Sequence, residues 1–184
     1  INTIFKSTNM VLVDFYESDM TNSSFVKSDL TQSSFHHAIV KNVDFTFANL
    51  ENSDFELSDI SRANFTAAEL QGSYLHRVKA PKTIFRNAIL TGSDLSYSNF
   101  ENSDFEFVSM HGSKLDHSNF SGSNFSRSDL HNANLKFSNL SNCLLIGADL
   151  RNADLEGVDF SNSDLTHSNF DGANLRDAIL ENVN

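Results

Sequence analysis

IGADLRNADLEGVDFSNSDL, residues 146 to 165, holds Leu150, Leu155, Phe160 and Leu165 at intervals of five, each preceded by Asp and, one place further back, by Ala, Val or Ser. The same frame runs through the 184 residues: from position 5 to 180 every fifth residue is Phe, Leu, Met or Ile, except Val40 and Ala80, so 34 of 36 sites agree without a slip of register. Every residue two places before the large apolar one, from Thr3 to Val183, is Ser, Ala, Thr, Val or Cys. Directly before it, 24 of 37 residues are Asp or Asn. On an α-helix a period of five advances about 140° net per unit and smears the apolar residues round the cylinder. On a flat strand it sends successive apolar residues to opposite faces. A chain that turns a corner every five residues buries them all: four units close a square coil, with the large side chain pointing to the axis and the small one filling the remaining inward slot.

The glycines test this independently, because a corner favours residues tolerant of positive φ. All seven (72, 92, 112, 122, 147, 157 and 172) fall two places after the large apolar residue, and eleven Asn share that position. The unit [S/A/T/V]-[D/N]-[F/L]-x-x, as in ADLRN, ANLRD and SDFEF, resembles the repeat of the pentapeptide-repeat family. The resemblance covers essentially the whole chain and implies an all-β fold, a right-handed parallel quadrilateral β-helix of about nine coils with 20 residues per coil.

Residues 20 apart then stack. Phe5, Phe25, Phe45, Phe65, Phe85, Phe105 and Phe125 form one internal ladder, continued by Leu145 and Leu165. Such a ladder explains seventeen Phe beside no Trp, since an indole N–H needs a partner in a dry core. It also fixes the meaning of the one irregular stretch, HRVKAPKTIF at 76 to 85, which contains Ala80 and the single proline, Pro81. Phe85 stays on the ladder, so the stretch is an edited corner and not a linker, and residues 1 to 184 read as one domain. Pro81 is expected to remove a ladder donor and raise a local bulge there, with the core thin at Ala80. The chain opens INTIF and closes ILENVN in mid-pattern with no capping segment, which predicts a segment of a longer protein.

The outward charges sum to 0, −5, −5 and −1 on the sides centred on Phe5, Met10, Phe15 and Met20, together the formal net charge of −11. An acidic rod is a poor partner for phosphate backbones, so direct nucleic-acid binding is excluded and a protein partner expected. No apolar run approaches the roughly 18 residues of a membrane span, so the chain reads as soluble, with no membrane role. Cys143 occupies an inward slot and reads as a buried filler. No cofactor is expected.

Exposed apolar residues are the informative surface feature. Leu57, Arg77, Tyr97, His117 and Phe137 line up over five coils of the Phe15 side, with Tyr74 alongside, and aromatic and Arg side chains are what interfaces use as anchors. A sparser column holds Phe47 and Phe107. Lys79, Pro81, Lys82 and nearby Arg62 make a basic corner. His36, Glu56 and His76 on consecutive coils are a weak candidate for a two-His, one-carboxylate metal site, and His111 over His131 has no third ligand in its own column.

These features predict a non-catalytic protein–protein interaction module. A looser resemblance, to the β-helix that precedes the catalytic lobes in type III effectors of the HECT-like ubiquitin ligase class (the SopA/NleL type), implies recruitment of a host protein after secretion into the host cytoplasm. The catalytic cysteine of such ligases lies in a C-terminal lobe that no part of this sequence matches. The two acidic sides support an alternative, similarity to Qnr-type quinolone-resistance proteins, which implies a DNA-mimicking binder of gyrase or topoisomerase in the bacterial cytoplasm.

Overall fold

The computed structural model describes residues 2–184. They form a right-handed quadrilateral β-helix in which each side contributes a single residue to a parallel ladder: Ile4 pairs with Ser24, Ser24 with Asp44, and so on in steps of 20 to Asp159 with Ile179. We number the sides 1 to 4 by their central residues Phe5, Met10, Phe15 and Met20. The predicted 20-residue coil is therefore the observed one.

A full accounting of backbone donors explains why so short a unit is stable. In the unit Val43 to Phe47, the Asp44 N–H donates to Ser23 of the preceding coil, while the Phe45 and Phe47 N–H groups donate to Asn64 and Thr66 of the next. The Val43 N–H closes the turn onto Val40, and the Thr46 N–H donates to the Asp44 carboxylate at 3.0 Å. That last bond is the reason for the Asp/Asn signature. Every Asp or Asn directly before a large apolar residue, from Asn9 to Asn174, accepts from the N–H two places on. The side chain thus satisfies the one donor per unit that neither the turn nor the ladder reaches, an Asx turn repeated along the rod.

The corners are left-handed without exception between residues 7 and 182: each residue two places after the large apolar one has φ between 53° and 74°, whether or not it is glycine. Inside, the Phe ladder of side 1 stacks ring on ring from Phe5 to Phe125, with centroids 4.7 to 5.3 Å apart. Phe35 and Phe55 of side 3 meet it edge-on.

The Pro81 corner corrects two expectations. No bulge forms: Ala80 and Lys82 donate to Asn99 and Glu101, and Arg62 donates to the Pro81 carbonyl, all in register. Nor does Pro81 remove a ladder donor. Its position is the one whose N–H normally goes to the Asx side chain, and the residue that would accept it is Lys79, which has no acceptor. The two departures from the repeat cancel each other. Ala80 is fully buried. Beside it the inward slots are tied by serines instead of by the turn carbonyl: Val78 and Thr83 donate to the Ser98 and Ser103 hydroxyls at 3.0 Å.

Candidate functional site

Leu57, Arg77, Tyr97, His117 and Phe137 all stand at the corner where side 3 turns into side 4, each with φ of 56° to 60°. The corner throws the side chain outward, so Tyr97 and Phe137 are both 53% exposed. Tyr97 stacks on His117 at 4.8 Å and His117 on Phe137 at 5.2 Å, with His76 edge-on to Tyr97. Leu57 and Arg77 continue the row by register. Its lower end is shaped by Gly157: a Cβ there would lie 2.6 Å from the Phe137 ring, which leans over the bare backbone. Tyr74 lies exposed on the flat of side 3. Phe47 and Phe107 do not form a second row of this kind; each is covered by a cation from a neighbouring coil, Lys27 at 5.8 Å and Arg127 at 5.4 Å.

The histidines group differently from the expected column. His36 lies 3.6 Å from Asp54 and 3.9 Å from Glu56, and the cluster with donor atoms close together is His36, Asp54 and Glu56. His76 is not in it; its Nδ1 meets the Ser96 hydroxyl at 2.9 Å. The His111 and His131 rings stack at 4.8 Å, and they do have a third partner, Asp129, from the adjacent row. Two imidazoles and a carboxylate are a donor set for a divalent transition metal. Here His131 Nδ1 is already hydrogen-bonded to Asp129 at 2.5 Å, and Asp129 also accepts from the His131 N–H as its Asx turn. Both carboxylates were missed because residues before and after the apolar position, two apart in sequence, face the same way through that turn.

Cys143 is 1% exposed, its Sγ 3.0 Å from the Phe120 carbonyl oxygen. Burial pushes its thiol up to about 12, against weaker opposing bonds from the Ser123 and Gly122 N–H groups. It is a filler, as expected.

At the corner where side 4 turns into side 1, Lys41, Asn42, Ser61, Arg62, Lys79, Pro81 and Lys82 enclose a surface concavity of about 320 Å³. Ser61 and Pro81 bring short side chains to its lining, where the coils on either side carry Lys41 and Glu101 in the same row. Asp59 pairs with both Lys41 and Lys79 at 3.2 Å. Burial raises the Asp59 carboxyl, but the Ser61 hydroxyl and N–H and the two lysines outweigh it, leaving the group below the ordinary range. Lys41 went unnoticed in the sequence, although it completes the four cations of side 4, all of which line this one hollow.

Fold and surface together define a class: a solenoid of pentapeptide sides whose distinguishing residues are all outward ones on an invariant frame. Matches to the family models for pentapeptide repeats (residues 68–106, 109–145 and 143–182) and for the pentapeptide repeat region (residues 2–75) span nearly the whole sequence. The chain belongs to the pentapeptide-repeat family. Among solved structures it is similar to HetL, a pentapeptide repeat protein involved in heterocyst differentiation regulation from the cyanobacterium Nostoc sp. strain PCC 7120, with 22% identity, a TM-score of 0.76, and coverage of 99% of this chain and 86% of HetL. That is a likeness of fold. Rfr23 from the cyanobacterium Cyanothece 51142 matches at 24% identity over 61% of this chain and 91% of its own, with a TM-score of 0.49. A trypsin-treated variant of QnrB1, a plasmid-mediated fluoroquinolone resistance protein, matches at 17% identity over 94% and 91%, with a TM-score of 0.45. No curated protein matches the sequence. Among the described residues no helix is long and apolar enough to cross a membrane.

Proposed function

We propose that the chain is a non-catalytic module that binds a protein partner through the corner row Leu57, Arg77, Tyr97, His117 and Phe137, with Tyr74 on the adjoining flat. One observation carries this reading: three exposed rings, Tyr97, His117 and Phe137, stack at corner positions with φ near 57°, where bulky residues are disfavoured. Gly and Asn fill eighteen of the corner positions and would serve the fold at lower cost. A flat, amphipathic, pre-stacked row loses little side-chain freedom on binding, which is how aromatic anchors give affinity. The test is to immobilise the wild-type chain and the Tyr97→Asn/Phe137→Asn variant and compare what each retains. Asn suits the corner, so the rod keeps its melting temperature while the specific partner is lost. Equal retention by the two proteins rejects this surface.

The finer setting, the β-helix of a secreted effector of the HECT-like ligase type acting on a host protein, rests on the looser resemblance and is tested by the sequence that flanks this chain in its gene. A second reading is favoured by sides 2 and 3, adjacent and each carrying a net charge of −5: a DNA-mimicking binder of a topoisomerase. Supercoiling by gyrase, unchanged over a wide range of added protein, disposes of it.

A further inference from the structure

The hollow at the Pro81 corner is a concentration of positive charge on a rod of net charge −11. Lys41, Arg62, Lys79 and Lys82 come from three successive coils and converge on it, against one carboxylate, Asp59, which is held by Lys41, Lys79 and the Ser61 hydroxyl. Among the described residues no carboxylate lies within 4.0 Å of the Arg62 or Lys82 side-chain nitrogens. Glu101 is the nearest acid on the next coil of that row, and it accepts from the Asn102 amide at 3.2 Å. On this highly charged surface most other cations are spoken for: Arg86, Lys114, Lys136, Arg151 and Arg176 each sit on a carboxylate. The fold keeps this place open. Ser61 and Pro81 contribute only short side chains to its lining, and Lys79 with Pro81 replaces the Asx pair, so a cation stands where Asp59 and Asn99 occupy the coils on either side. The volume, about 320 Å³, is at the lower end for small-molecule sites.

We propose that this hollow binds a phosphate group, a phosphomonoester dianion held between the fork of Arg62 and the ammonium groups of Lys82, Lys79 and Lys41. A planar guanidinium grips two oxygens of a tetrahedral anion while lysines act as point charges around it, the division of labour by which phosphate sites are built. The site lies across side 4 from the aromatic row, on a different corner, and does not depend on the partner-binding reading. Its ligand comes either from a phosphorylated protein segment or from a free phosphorylated small molecule.

Calorimetric titration of the whole chain at low salt with inorganic phosphate, phenyl phosphate and a short phosphoserine peptide, beside its unphosphorylated twin, tests it. The expected result is one saturable site for the phosphate-bearing probes, no binding of the twin, and weakening as salt screens the charges. Arg62→Asn and Lys82→Asn, both with the residue that corners prefer, are expected to weaken binding by about tenfold each while leaving the melting temperature in place. Tighter binding of the phosphopeptide than of phenyl phosphate assigns the site to a protein ligand, and equal binding to a small molecule. Absence of saturable binding of every phosphate probe overturns the proposal, as does unchanged affinity in the double Asn variant.

Discussion

If Lys79 and Pro81 are a matched pair, their substitutions cannot be additive. Lys79→Asn alone supplies an acceptor to a residue with no N–H and removes an ion pair to Asp59 at 3.2 Å; with a Lys side chain 63% exposed, that pair contributes at most about 1 kcal/mol. Pro81→Thr alone creates an N–H facing a lysine and loosens the unfolded chain, at roughly 0.4–1 kcal/mol. Together they rebuild the turn seen at Asn64 and Thr66, where the amide oxygen accepts from both the N–H at 3.0 Å and the hydroxyl at 2.6 Å. Two regained bonds at about 0.5–1.5 kcal/mol each predict a favourable coupling of about 1–3 kcal/mol. In a protein of this size that is about 2–12 °C in melting temperature. Thermal and urea unfolding of the wild type, both single variants and the double variant close the cycle. Additivity within about 0.3 kcal/mol refutes the reasoning that Pro81 is tolerated because its N–H has no role.

Phe65→Ala, in a fully buried ring stacked at 4.9 and 4.8 Å between Phe45 and Phe85, is expected to cost about 3–5 kcal/mol by urea unfolding. Gly92→Ala meets nothing within 4 Å and costs only its left-handed backbone, about 1 kcal/mol. Gly157→Ala drives a methyl into the Phe137 ring as well, so it should cost clearly more and displace that ring, read out by the partner-retention assay. With its thiol pushed up to about 12, folded Cys143 should resist alkylation at pH 8 and react at once in denaturant. The sign follows: an unfolded thiol ionises near its ordinary value of 9.0 while the folded one stays neutral, so this contribution to stability is intact below pH 9 and is lost as pH rises towards 12.

The fold was legible because the period leaves few geometries that bury Phe5 to Leu180 together, and the glycine positions tested that geometry from an unrelated property. What frequency alone did not reveal was purpose. Asp and Asn were common before the apolar residue, but only hydrogen-bond accounting shows that they satisfy the N–H two places on. Without that, Pro81 looked disruptive and a bulge was expected. The site residues were legible as columns 20 apart, which is why the Tyr97 row is in place. Contacts between rows were not: Asp54 beside His36 and Asp129 beside His131 meet on one side of the coil because the Asx turn brings the residues before and after the apolar one together, and Lys41 shares a hollow with Arg62 from the neighbouring row, none of which a reading of single columns shows.

Both proposals require that the 20-residue coil pass through the Pro81 corner in phase, so that Arg77 occupies the same corner row as Tyr97 one coil earlier and the two surfaces flank side 4. Cysteine pairs in a Cys143→Ala background measure this directly. Corner residues one coil apart are separated by about the 4.8 Å strand spacing, within disulfide range. Arg77→Cys/Tyr97→Cys should therefore oxidise rapidly in the folded protein. Arg77→Cys/Gly92→Cys and Arg77→Cys/Asn102→Cys, 15 and 25 apart, place the thiols on different corners and should stay reduced. A disulfide in either of these pairs, with none between 77 and 97, contradicts the account.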